Sequence, residues 1–352
     1  MKGLKLYLLA ILMLAFFSVG LAQRPYRVGT STANFLEVGF GSAGVAMGDA
    51  YVSAVHDISS VFWNPAGLGF MDSNEAMFVI QPWLLETSTS FVAVGVPLHN
   101  IGTLALSIIH MGYGEMEVTT LRQQDGTGEL FDANELAATL SYGRPITDWF
   151  SFGAGVKYVS SQIWHETASA IAFDLGVQVK TNFFSFLNSQ HRGMKMGMSI
   201  SNYGTKMSYN GLDLLNPIDI LPNENGNYKD VPGQFRLREW ELPLIFRVGV
   251  AIVPLAVENH QITVAVDALH PNNNSESINA GLEYQVTMPA FGDLFLRCGY
   301  KGLFMVDSEY GPTFGAGFSM NLLRNIAMKF DYAYRNIGVL GSANSFGFSF
   351  KF

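Results

Sequence analysis

The chain of 352 residues is 14% charged and 13% aromatic, with 36 glycines and a formal net charge of −8. Charged residues usually make up about a quarter of a soluble domain, and the lack of any Lys/Arg run excludes a nucleic-acid partner. Cys298 stands alone among seven scattered histidines, which excludes an intramolecular disulfide and any recognised zinc motif and implies no cofactor.

In chain order, "MKGLKLYLLAILMLAFFSVGLAQ" opens with Lys2 and Lys5, runs apolar from Leu6 to about Val19 and ends on small residues. This pattern predicts a signal peptide over residues 1–22, cleaved after Ala22. A permanent anchor is the alternative, which the small-residue end disfavours. No later apolar stretch approaches the roughly 20 residues that a transmembrane helix needs. An exported chain this apolar is either a soluble β-rich domain or a transmembrane β-barrel.

Residues 23–74 precede any strand pattern. The stretch 39–57, "GFGSAGVAMGDAYVSAVHD", predicts a short helix around 44–55 and a turn beginning at Asp57. In "SSVFWNPAGLGF", 59–70, Pro65 lacks an amide hydrogen and pushes Asn64 out of the α region. Gly67 and Gly69 permit unusual backbone angles. This is a rigid turn, yet it is too apolar for water. A plug or hatch inside a barrel, spanning 23–74, accommodates it.

Fourteen strand candidates follow, at 75–82, 88–97, 101–111, 135–144, 150–161, 168–180, 194–202, 242–254, 261–269, 276–286, 293–301, 312–320, 326–335 and 344–352. "NSFGFSFKF" sets Phe346, Phe348, Phe350 and Phe352 against Gly347, Ser349 and Lys351. "IAMKFDYAY" and "QITVAVDAL" alternate in the same way, the period of a strand with two unlike faces. The polar face is mostly Gly, Ser, Ala and Asn, whereas a soluble sandwich carries charge there. A greasy exterior around a small, polar interior is the arrangement of a barrel in lipid. The predicted fold is therefore all-β: a transmembrane antiparallel barrel of about 14 strands, residues 75–352, with outer-membrane lipid as its surroundings.

Connection lengths agree. With the last strand ending in the periplasm, the long segments 112–134 and 203–241 face outward and most inward turns are short. Segment 181–193 departs from this, being long on the inner side. Trp83, Trp149, Tyr300, Tyr334 and Phe352 are candidates for the interfacial aromatic girdles. The loop 203–241 mixes leucines and isoleucines with turn residues; it either binds a partner, as a docking surface with 112–134, or folds back over the mouth, the favoured reading.

Parity places Lys157, Asp174, Arg247, Asp267, Glu283, Arg297, Lys329 and Asp331 on the lumen face, with Lys195, Lys301 and Lys351. Buried charges need partners, so pairs across strands or with Glu37, Asp49 and Asp57 are expected. Phe62, Trp63, Leu68, Phe70 and Met71 either form a candidate hydrophobic pocket beside the plug or, the favoured reading, seal the plug to the wall. "DGTGE", 125–129, reads as a turn and not as a calcium loop. No Gly-x-Ser-x-Gly elbow occurs, and no histidine lies beside an evident nucleophile, so the chain reads as non-enzymatic.

Residues 29–70 resemble the N-terminal signature of the PorV/PorQ family of outer-membrane proteins. The resemblance rests on Asn34, Phe35 and Leu36, on Ala46, Met47 and Gly48 with Ala50 and Tyr51, and on Trp63, Asn64, Pro65, Ala66, Gly67 and Leu68. That family is similar to the FadL group of fourteen-stranded barrels, which also carry an Asn-Pro-Ala turn in the plug. The resemblance implies a partner of the type IX secretion system, engaging translocon components or secreted cargo. Alternatively, it implies a FadL-like channel for hydrophobic small molecules, lipid or detergent. The outer loops here are more modest than those of large PorV members.

Overall fold

The computed structural model describes residues 27–85, 87–183, 193–226, 230–289, 291–323 and 326–352. The expected signal peptide, and most of segment 181–193, lie outside the described residues.

Strands β1 (Glu75–Pro82), β2 (Ser88–Leu98), β3 (Gly102–Glu117), β4 (Leu130–Thr147), β5 (Phe150–Ile163), β6 (Glu166–Lys180) and β7 (Lys195–Gly204) each pair with the next. One long connection then holds the short strands β8 (Asn210–Gly211), β9 (Leu215–Ile218) and β10 (Val231–Gln234). The second run is β11 (Ile245–Val257), β12 (His260–Pro271), β13 (Ser277–Met288), β14 (Gly292–Leu303), β15 (Pro312–Leu323), β16 (Ile326–Asn336) and β17 (Ser342–Lys351). β11 pairs with β7, and β17 returns to β1 with Glu75 opposite Lys351. The result is a closed antiparallel barrel of 14 strands, and each expected strand has a counterpart in it.

Alternation fixes the two faces as expected. On β16 and β17, Phe330 and Phe348 meet outside at 5.0 Å, and Tyr332 and Phe346 at 5.4 Å. Between them Asp331, Ala333, Ser345 and Ser349 are buried inside. Val266 of β12 is 45% exposed to the outside, while its neighbours Ala265 and Asp267 are fully buried. A one-residue slip would reverse every side chain, so the lipid-facing pattern locks the register.

Three boundaries and placements differ from expectation. β3 and β4 run 16 and 18 residues, well past the 9–11 needed to cross. Beyond an irregularity between Gly112 and Glu115 the hairpin continues pairing in water, where mixed polar residues erase the alternation that marks lipid contact. Trp83 does not join a girdle: its ring turns inward, 5.8 Å from the Arg335 guanidinium. The long outer connection folds back only at its base. There Met207 and Leu242 are buried and bridge bonds join Met207 to Trp240, while Leu212, Leu215 and Ile220 stay exposed.

The N-terminal segment lies within the ring of strands. Its helix α1 (Ser42–Ala46) is shorter than the expected 44–55. Gly48 and Asp49 both take positive φ, +68° and +64°, which ends it. Glycine is needed at 48 because its backbone presses on that of Tyr300, where a side chain has no room. The Asp57 carboxylate accepts the Ser59 amide at 3.0 Å and starts the turn into α2 (Ser60–Trp63), as expected.

Candidate functional site

Asn64 is the hub of the segment. Its Oδ1 accepts the Ala66 amide at 3.1 Å, capping a 3₁₀ turn over Pro65–Phe70. Its Nδ2 donates to the Val52 carbonyl at 2.9 Å and to the Val177 carbonyl of β6 at 3.0 Å. One buried side chain therefore closes the turn, ties it to the preceding loop and fastens both to the wall. Asn64→Ala removes all three bonds and leaves buried backbone groups unsatisfied, at about 1–3 kcal/mol each where no water replaces them. A drop in the temperature at which heat-modifiable gel mobility is lost checks this, and Asn64→Asp should recover only the cap.

Wall side chains repeatedly bond the backbone of the segment. Ser151 donates to the Ala66 carbonyl at 2.7 Å, and Gln178 to the carbonyls of Ser53 and Val55 at 2.7 and 3.1 Å. Thr313 donates to Ala46 at 2.9 Å, and Asp267 accepts the Val52 amide at 2.9 Å. Such bonds supply the partners that an irregular buried backbone needs. Lumen-facing glycines supply the space. A β-carbon on Gly153 would overlap Pro65 and Ala66, and one on Gly176 would overlap the Asn64 side chain.

All eight expected lumen charges face inward. Lys157 and Asp174 pair at 3.0 Å, with Asn202 completing the group at 2.6 Å from the lysine. Arg297 bridges Glu283 at 2.6 Å and Asp331 at 2.7 Å, and Lys329 meets Asp331 at 3.1 Å and Asp57 at 3.9 Å. Asp267 serves a backbone amide instead of a cation. Arg247, buried, donates to Ser201 at 3.0 Å and makes no ion pair among the described residues.

From the segment, Asp49 meets Arg335 at 2.6 Å and Lys301 at 2.7 Å. Burial works to raise its carboxyl, but the two cations hold it below the ordinary carboxylate value. Glu37, with no ion pair among the described residues, is pushed up by burial. Arg335 and Glu75 were absent from the expected charges, although alternation carried the signal: each lies in phase with inward residues of its strand, Asp331 and Ala333 for one, Met77 for the other.

The five apolar candidates do not line one pocket. Phe62 and Trp63 border a cavity of about 80 Å³ at the outer side, shared with Glu37, Asp49, Arg247 and Lys301. Trp63 packs edge-on to Phe62 at 4.9 Å and to Tyr51 at 6.2 Å. Leu68 is fully buried against Gly143, Met71 packs on Gly95, and Phe70 lies 3.4 Å below the Lys180 ammonium. A second cavity, about 370 Å³, opens at the inner side among His56, Asp57, Glu75, Lys195, Glu283 and Lys329. Of the remaining signature residues, Phe35, Met47 and Gly48 are buried with Ala66 and Gly67, whereas Asn34 is exposed, bonded to Ser31 at 2.7 Å.

The fold is shared with solved toluene transporters and a monoaromatic hydrocarbon channel. The toluene transporter TbuX of Ralstonia pickettii superposes with a TM-score of 0.52 at 11% identity, over 89% of this chain and 97% of that one. The toluene transporter TodX of Pseudomonas putida gives 0.53 at 12%, again over 89% and 97%. A deltaS2 mutant of TodX, described as a monoaromatic hydrocarbon channel, gives 0.55 at 13%, over 89% and 98%. No curated protein matches in sequence. The family model "Type IX secretion system protein PorV" matches residues 21–220, which take in the N-terminal segment and β1–β7. With more than half of its length matched in this way, the chain is an outer-membrane β-barrel that belongs to the PorV family.

Proposed function

We propose that this barrel is a non-enzymatic partner of type IX secretion, docking translocon components or secreted cargo, with the N-terminal segment serving as its plug. The family match over residues 21–220 carries the reading. The lumen supports it: wall glycines, backbone-directed side chains and the Asp49 ion pairs hold the segment across the barrel. A barrel closed in this way offers surfaces for binding more readily than a conduit. Export follows from a signal peptide cleaved after Ala22, which N-terminal sequencing of the mature protein tests.

The channel reading has one observation of its own. The outer cavity sets the rings of Phe62 and Trp63 beside Arg247, apolar faces within a site of the size of a small group, in a fold shared with hydrocarbon channels. Crosslinking in native outer membranes followed by mass spectrometry separates the two. Secretion components or cargo should copurify, and deletion should reduce secretion. Intact secretion together with lost uptake of toluene in the deletion strain would replace the docking reading with the channel.

A further inference from the structure

The longest outer connection holds a stretch of backbone that is left unpaired. β10 ends at Gln234, and the Phe235 amide donates to the Leu214 carbonyl at 2.9 Å. The next backbone bonds are the reciprocal pair between Trp240 and Met207, at 2.8 and 2.9 Å. Between these anchors Arg236, Leu237, Arg238 and Glu239 are exposed and make no backbone hydrogen bond among the described residues. Across a cleft of about 800 Å³ stand Ser208, Tyr209, Asn210 and Leu214. Ser208 and Tyr209 likewise make no backbone hydrogen bond, and the Tyr209 hydroxyl is fixed to Ser161 at 2.7 Å.

An exposed row of free amides and carbonyls is a site for an added strand, and proteins usually blunt or cover such edges. Here the row continues directly from β10. Its side chains set the chemistry of the occupant. Phe235 is 61% exposed and Leu237 42%, and they alternate with Arg236 and Arg238. Neither arginine has a carboxylate within ion-pair distance among the described residues, whereas nearby Glu241 is already held by Arg27 and Lys206.

We propose that this cleft binds an extended peptide segment in which carboxylates alternate with apolar side chains, added as a strand along residues 235–239. The period of two in a strand sends alternate side chains to opposite faces, so an alternating partner meets the two arginines and the two apolar residues together. Phosphates of the outer lipid would satisfy the arginines and leave the backbone row unmatched. The inference rests on the docking reading above in taking a polypeptide as partner, and it assigns the surface.

The test uses the full-length protein in detergent and a fluorescent Asp-Val-Asp-Val-Asp-Val-Asp-Val peptide, with a version carrying proline at each valine position as control. Saturable binding is expected, at least tenfold weaker for the proline control, for Arg236→Glu/Arg238→Glu and for Leu237→Pro. No saturable binding, or equal binding by the variants or by the control peptide, would overturn the proposal. So would full displacement of the peptide by lipid A vesicles, or a self-association that the variants abolish. In native membranes the double variant should also lose its copurifying partner. Partner recovery unchanged by the variant would remove this surface while leaving the docking reading in place.

Discussion

With the N-terminal segment as the proposed plug, Gly153→Val or Gly176→Val should release it and make the barrel conduct. Both glycines face the lumen, in register opposite each other on β5 and β6. At each, even one added carbon meets the 64–66 turn, and at Gly153 the obstacle is backbone that cannot rotate away. Overpacking of this kind costs about 1–3 kcal/mol and sometimes more, here concentrated on the turn and not on the strands. The barrel's own ladder is untouched, since a strand accepts valine readily. The expected readings are intact heat-modifiable mobility, new protease cleavage within residues 39–71 and measurable conductance in planar bilayers. Gly112→Ala is the control, because its nearest neighbour would lie at an ordinary 3.5 Å.

Asp49→Ala should be among the most damaging single truncations in the segment. Arg335 is 1% exposed, its Nε and Nη1 have no hydrogen-bond partner among the described residues, and its ion pair is with Asp49. Removing the carboxylate strands that guanidinium and the Lys301 ammonium in a closed space. Breaking a buried pair from one side typically costs about 3–5 kcal/mol. The same pair predicts acid sensitivity. A carboxyl whose folded value is depressed contributes fully above its unfolded value and loses that contribution as pH falls through the folded one. Release of the segment, followed by protease accessibility, should therefore appear on acidification below the ordinary carboxylate range. At neutral pH, Asp49→Asn should already show it.

The barrel was legible because lipid imposes one rule on every strand. Each of the 14 candidates met its counterpart, and parity alone picks out inward-facing charges such as Lys157 and Arg297, although their partners appear only in the structure. What parity could not show was which inward residue faces what. Gly153 and Gly176 read only as small, yet they mark where the Asn64 turn touches the wall. The segment itself has no period. A short helix, a left-handed turn at Gly48–Asp49 and a 3₁₀ turn follow one another, so its contacts are all tertiary. For that reason nothing in the sequence shows that Phe62 and Leu68, six residues apart, reach different parts of the wall. The Asn64 signature was recognisable as a rigid turn, but its bonds to Val52 and Val177 join three distant stretches.

Occlusion of the lumen is the premise on which the docking reading and the two variants above depend, and a single crosslink tests it most directly. The Ser42 and Ser345 hydroxyls lie 2.9 Å apart, one on α1 and the other on the inner face of β17. In a Cys298→Ala background, Ser42→Cys with Ser345→Cys should oxidise to a disulfide in nearly every folded molecule in the outer membrane. The product should keep its heat-modifiable mobility until reduced. A folded barrel in which the two thiols stay free and reactive to a bulky membrane-impermeant maleimide would contradict the account.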